Sequence, residues 1–200
     1  MSSHKKSRNQ RLCIPGLESY ATYAAIVRAY KIDHRDRAES ECRSYADSGT
    51  LSVAIEAAAT AKLLDGSKHD HQWRISNLTL RKFAGRLIAI KNKIKRANNF
   101  DELWNMVRET GGKIKGVGEL AIYDTATRIG AFLRLEPKYV YLHAGTRKGA
   151  QALGFKGKQV YLRLEKLPAA FHKLTPAQCE DCLCIYKDQL AVIKREQKHL

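Results

Sequence analysis

The sequence predicts an all-α protein, and three observations predict it. Apolar residues recur at three and four positions through most long segments. Runs of strictly alternating apolar and polar residues, the mark of a half-buried strand, are nearly absent. Helix-start spacings, such as Asn99 with Glu102 and Thr175 with Gln178, stand ahead of periodic runs.

The elements follow in chain order. Residues 1–15 carry Lys5, Lys6, Arg8 and Arg11 and no apolar core, and read as a basic flexible arm; residues 16–200 read as a single helical domain. Leu17 to Tyr30 puts Tyr20, Tyr23, Ala24 and Val27 on one stripe and predicts a buried helix. Arg35 to Tyr45 is charged and predicts an exposed one, which Gly49 ends. Thr50 is placed to cap the alanine-rich run Leu51–Leu64, whose small side chains admit a close neighbour. Asn77 is expected to cap one long basic helix reaching Ala97. Its apolar side carries Leu80, Phe83, Leu87, Ile90 and Ile94, and its other side Arg81, Lys82, Lys91, Lys95 and Arg96.

Asn99 and Glu102 form a capping pair for Asp101–Glu109, which Gly111 and Gly112 stop. A further helical run covers Glu119–Leu133. Past Pro137, Tyr139–Leu142 reads as extended, and Gly145–Gly149 opens a short helix with Thr146 as its expected cap. Val160–Leu164 fits a short strand or helix. Thr175 and Gln178 flank a proline suited to the first helical position, ahead of a last helix Ala177–Glu196.

Charge bounds the function more than length does. Thirty-six Lys and Arg against twenty acids give a net charge of +16 and imply a polyanionic partner. No apolar run is long enough to span a membrane, so no membrane partner is expected. Five cysteines without a secretory signal predict reduced thiols in a cytoplasmic protein.

The most informative segment is Ile114-Lys115-Gly116-Val117-Gly118, between two helical runs at about 101–135. Its glycines permit a sharp turn that lies close to another surface. Backbone N–H groups at the start of the following helix favour an anion, and Lys113 and Lys115 add positive charge beside them. Lys113, Lys115, Gly116, Val117 and Gly118 are therefore candidate nucleic-acid contacts, made to phosphate rather than to bases.

At these residues the chain resembles the helix-hairpin-helix DNA glycosylase superfamily, the endonuclease III and 8-oxoguanine glycosylase relatives. The match runs over Ile114–Gly118 with Glu119–Leu133 as second helix, and Val140–His143 falls near an extended segment that ends in an Asp-bearing signature in those proteins. The resemblance covers about a fifth of the chain and implies two helical lobes with the hairpin at their cleft. It implies binding to double-stranded DNA, mainly through the phosphate backbone. This sequence departs from the family at two places. The catalytic Asp would fall near Tyr141, and Leu120 stands where bifunctional members carry lysine. A glycosylase built this way would be monofunctional. The alternative is a non-catalytic module that binds DNA or structured RNA. No cofactor is expected, and the family's four-cysteine iron–sulfur signature is missing from the sequence.

Several other residues carry candidate chemistry. Asp124 and Arg128 are four apart on one helix. They read either as an intrahelical ion pair or, for Asp124, as the acid that stabilises a sugar cation after base loss, with Glu136 as second candidate. Thr146, Arg147 and Lys148, in the segment HAGTRKG, read as a second phosphate cradle. Trp73, Tyr141 and His143 are expected to line the cleft, although Trp73 and Tyr141 each also read as packing residues. His69-Asp70-His71 has metal-ligand chemistry but no third ligand nearby, so no metal is expected. Cys179 and Cys182 share a helix face with Cys184 pointing elsewhere, which reads as buried small side chains.

Overall fold

The computed structural model describes residues 20–62 and 72–196. The basic arm, Cys13 and His69-Asp70-His71 lie outside them. The described chain is all-α, with one two-stranded sheet. Helices α1 (Tyr23–Asp33), α2 (Arg35–Ala46) and α3 (Leu51–Thr60) come first. They are followed by α4 (Asn77–Ala89), the single turn α5 (Lys91–Ile94), α6 (Phe100–Gly111) and α7 (Glu119–Leu133). Strand β1 (Val140–Tyr141), α8 (Ala144–Ala152) and β2 (Tyr161–Leu162) follow, then two short 3-10 turns, α9 (Pro176–Ile185) and α10 (Lys187–Glu196).

Local sequence signals set most helix starts. The Thr50 side chain accepts the Val53 N–H, the Asn99 side chain accepts that of Glu102, and Thr175 with Gln178 forms a reciprocal capping box with Pro176 at the first helical position. Other boundaries move. Helix α1 starts at Tyr23, capped by Thr22, and buries Ile26, Val27 and Tyr30 while Ala24 faces solvent. Ser76, one residue before Asn77, caps α4. The long basic run is two helices, because the backbone leaves helical geometry at Ile90. The last run also divides, at Tyr186. Helix α8 starts at Ala144 with His143, not Thr146, as its cap.

Two hydrophobic cores organise the molecule. One gathers Tyr45, Ile55, Phe83, Leu87, Phe100, Leu103, Ile122 and Ile129 from α2 to α7. The other gathers Ile26, Val27 and Tyr30 from α1 with Val140, Leu162, Phe171, Leu183, Tyr186 and Leu190 from the C-terminal elements. The first described helix thus completes the core of the last ones. Helix α7 packs on α2, α3 and α6, and its alanines and Gly130 permit that crowding: a Cβ on Gly130 would lie 2.6 Å from the Leu135 carbonyl oxygen.

Candidate nucleic-acid interface

The turn between α6 and α7 is built from its own backbone. The Ile114 N–H donates to Gly111 O at 2.9 Å, and the Val117 N–H donates to Ile114 O at 3.1 Å. Gly116 closes the second turn at φ +98°, a conformation that glycine adopts without cost. Ile114 is 5% exposed and pins the turn to the core, while Lys113 and Lys115 face solvent. Gly118 starts α7 in an extended conformation, and no side chain caps that end. Its first N–H groups therefore have no side-chain acceptor, and Glu119, the acid of the first turn, pairs with Arg147 at 3.5 Å.

Helix α4 lies against this turn. The Arg86 Nη1 donates to Lys113 O at 3.5 Å, and a Cβ on Gly116 would lie 3.6 Å from Thr79 Cγ2. Thr79, Lys82 and Arg86 occupy one stripe of α4 by helical spacing. Lys82 and Arg86 are exposed, so four cations surround the turn: Lys82, Arg86, Lys113 and Lys115. The sequence signal for Arg86 was its place four residues after Lys82.

The structure does not assemble the second expected cradle. Thr146 is fully buried, and its hydroxyl donates to Glu180 Oε1 at 2.6 Å. Arg147 is spent on protein: it donates to Gln159 O at 2.6 Å and Leu142 O at 2.8 Å, and pairs with Glu119 at 3.5 Å. Only Lys148 of the three is free to solvent by exposure. The glycines of GTRKG serve packing instead. A Cβ on Gly145 would meet Cys184 Sγ at 2.5 Å, and one on Gly149 would collide with the Leu183 carbonyl of α9.

The expected cleft residues separate. Trp73 is 63% exposed, with the Arg74 guanidinium 5.1 Å from its ring, so it is a surface group rather than a core anchor. Tyr141 and His143 are each 3% exposed and belong to the interior, not to an open cleft wall. The Tyr141 hydroxyl donates to the Asp101 carboxylate, and its ring packs among Phe100, Trp104, Tyr123 and Tyr161. His143 bonds through Nε2 to Glu180, and its Nδ1 lies 3.3 Å from the Gly145 N–H. Burial alone would lower the His143 pKa; the Glu180 hydrogen bond and charge outweigh it, and the net shift is upward.

Asp124 stands in a charged cluster between the cores. Its Oδ2 accepts from Gln72 Nε2 at 3.0 Å and lies 3.5 Å from Arg128 Nη2. Arg128, whose side chain is 5% exposed, also pairs with Glu41 at 3.5 Å and bonds Gln72 Oε1 at 3.3 Å. The ion-pair reading of Asp124 and Arg128 is therefore what the geometry contains. Glu136 is exposed beyond the C-terminal end of α7, and the structure does not bring it to Asp124. Sequence reading missed Glu41, Gln72, Glu180 and Asp181. Burial and the neighbouring charge of Glu180 push the Asp181 carboxyl up to about 7. Glu180 had a signal: it lies three and four residues before Leu183 and Cys184, on the face that meets α8.

The thiols offer no reactive centre among the described residues. Cys42, Cys179, Cys182 and Cys184 are free, and burial raises every one of them, Cys42 to about 11. The described residues contain no cluster able to hold a metal ion, and no helix among them is long and apolar enough to cross a membrane. No family model matches the chain, and no curated protein or solved structure is found similar to it.

Proposed function

We propose that the protein binds double-stranded DNA through the phosphate backbone, with residues 112–118 and the facing side of α4 as the contact. One observation carries the reading: the uncapped start of α7 sits beside Lys82, Arg86, Lys113 and Lys115 on a single face. N–H dipoles and cations there address the same anion, and none of them reads a base. The net charge of +16 and the resemblance of Ile114–Gly118 to a helix-hairpin-helix support the same partner.

The reading is one of binding without base excision. Excision needs a carboxylate at the flipped nucleotide. Asp124 is engaged by Arg128 and Gln72, and Glu136 lies past the end of its helix.

Duplex affinity measured across a salt series tests this. A contact of about 4–6 phosphates gives a log–log slope of roughly −4 to −5. Lys113→Glu with Lys115→Glu should weaken binding at every sequence and flatten the slope. A slope near zero overturns the reading. Alkali-labile sites appearing in a panel of damaged duplexes would restore excision.

A further inference from the structure

We propose that exposed Tyr161 of β2, with Tyr139 stacked on it, is a stacking platform for single-stranded DNA. It would hold a strand leaving the duplex gripped at residues 112–118, and in that sense it rests on the duplex reading. Strand register defines the face. Tyr141 pairs with Tyr161 and Val140 with Leu162. Val140 and Leu162 are buried in the C-terminal core, and on the opposite side Tyr141 is buried in the other core while Tyr161 reaches solvent. Tyr139, two residues before Tyr141, and Arg163, two residues after Tyr161, continue that side; Arg163 is itself in extended conformation.

The face is aromatic and partly open. Tyr139 and Tyr161 stack with centroids 4.4 Å apart and planes 18° from parallel. Tyr161 is 45% exposed while its ring stacks on Tyr139. Tyr141 lies 6.1 Å from Tyr161 and 4.9 Å from Trp104 of α6. The hydrogen bond of Tyr141 to Asp101 fixes that middle ring. Arg108 sits 4.5 Å over Trp104, and its carbonyl accepts the Gly112 N–H at 2.8 Å. Helix α6 thus links these rings to the proposed duplex contact, with Trp104 about 12 Å along the helix from Gly112.

Charge complementarity selects the occupant. Lys138 and Arg163, next to the tyrosines in sequence, are exposed, as are Lys156 and Lys158 ahead of β2. Every base has a π-face, so rings and cations together hold a single strand without reading its sequence. A base-paired duplex offers no free π-face to Tyr161 along its length, which makes the platform selective for unpaired strand.

The test compares a labelled thymidine oligomer with a blunt duplex by fluorescence anisotropy. Tyr161→Ala should weaken oligomer binding about tenfold and leave duplex binding unchanged. Tyr161→Phe should bind as the parent, because the ring is kept. Tyr161→Trp should show quenching by the oligomer beyond that of Trp73 and Trp104 in the parent, which reads the contact without removing the ring. Unchanged oligomer affinity in Tyr161→Ala, or no quenching in Tyr161→Trp beyond the parent's, overturns the platform. Parent protein that binds duplex but not oligomer also overturns it and leaves the duplex reading intact. Binding of oligomer but not duplex keeps the platform and removes the duplex reading. Tighter binding of a uridine oligomer than of thymidine overturns the assignment to DNA in favour of RNA.

Discussion

Gly149 of α8 lies directly against the Leu183 backbone carbonyl of α9, with no room for a Cβ between them. Gly145, one turn earlier, lies against the Cys184 side chain, and the Thr146 hydroxyl between them bonds Glu180. The two helices therefore meet along Gly145, Thr146 and Gly149 on one side and Glu180, Leu183 and Cys184 on the other. Backbone cannot yield as a side-chain tip can. Gly149→Ala should destabilise the fold by about 2–3 kcal/mol through overpacking, measured as a lower denaturant midpoint at unchanged slope. A neutral result would mean the helices separate freely.

That interface explains where sequence reading stopped. GTRKG carries glycines, a hydroxyl and cations, which fit both a phosphate cradle and a close helix crossing. Only the partner helix distinguishes them, and it lies some thirty residues away in the chain. Signals confined to one turn were legible: Thr50, Asn99 and Thr175 cap as their spacing predicts. Ser76 and Asn77 are adjacent capping residues, and propensity alone does not choose between them. Tyr141 packs among Phe100, Trp104 and Tyr123 in keeping with its packing reading, whereas His143 reads as a cleft group until Glu180 of α9 takes its ring. Trp73 fails in the reverse sense, since its size suggests the core while its neighbour Gln72 takes the buried place beside Asp124.

Arg128 holds two carboxylates, and removing it takes away the cation that both face. Its side chain is 5% exposed, with Glu41 and Asp124 each at 3.5 Å. Breaking a buried pair from one side costs about 3–5 kcal/mol, because the remaining charge is left uncompensated. Arg128→Met should reach the lower part of that range, since Glu41 and Asp124 are partly solvated. Adding Glu41→Gln and Asp124→Asn should recover part of the loss. Thermal unfolding of the single and triple variants measures both effects, and a triple variant no more stable than Arg128→Met would count against the electrostatic account.

The Asp181 carboxyl gives stability a definite pH sign. Burial beside Glu180, with Asp124 and Glu41 nearby, raises it from 3.8 to about 7. Between those values the fold keeps a proton that the unfolded chain releases, so this group's contribution falls as pH rises through that window. His143 acts in the same direction. Its folded pKa is raised above 6.5, so its contribution is full below 6.5 and is lost as pH rises through the folded value. His34 opposes them, because burial lowers its pKa. The comparison of parent with Asp181→Asn removes the other groups. The variant should gain stability relative to the parent as pH rises from about 5 to about 8. Parallel stability curves over that range would exclude a titrating Asp181.

Gly118 separates binding from folding. It is the residue before α7, at φ −97° and ψ 176°, with nothing within 4 Å of where a Cβ would project. Aspartate at such a position accepts a helix N–H and favours the dipole, so Gly118→Asp should stabilise the fold by about 0.5 kcal/mol. The same carboxylate stands where phosphate is proposed to sit. Duplex affinity should fall about tenfold for lost contact and added repulsion, and less at high salt. Gly116→Ala offers the converse. Its φ of +98° strains any other residue, so that change should cost about 1 kcal/mol of stability. Stability from denaturant melts and duplex affinity from anisotropy should move in opposite directions for Gly118→Asp. If affinity holds while the helix gains its cap, the start of α7 does not touch phosphate, and the duplex contact must lie elsewhere on the basic surface.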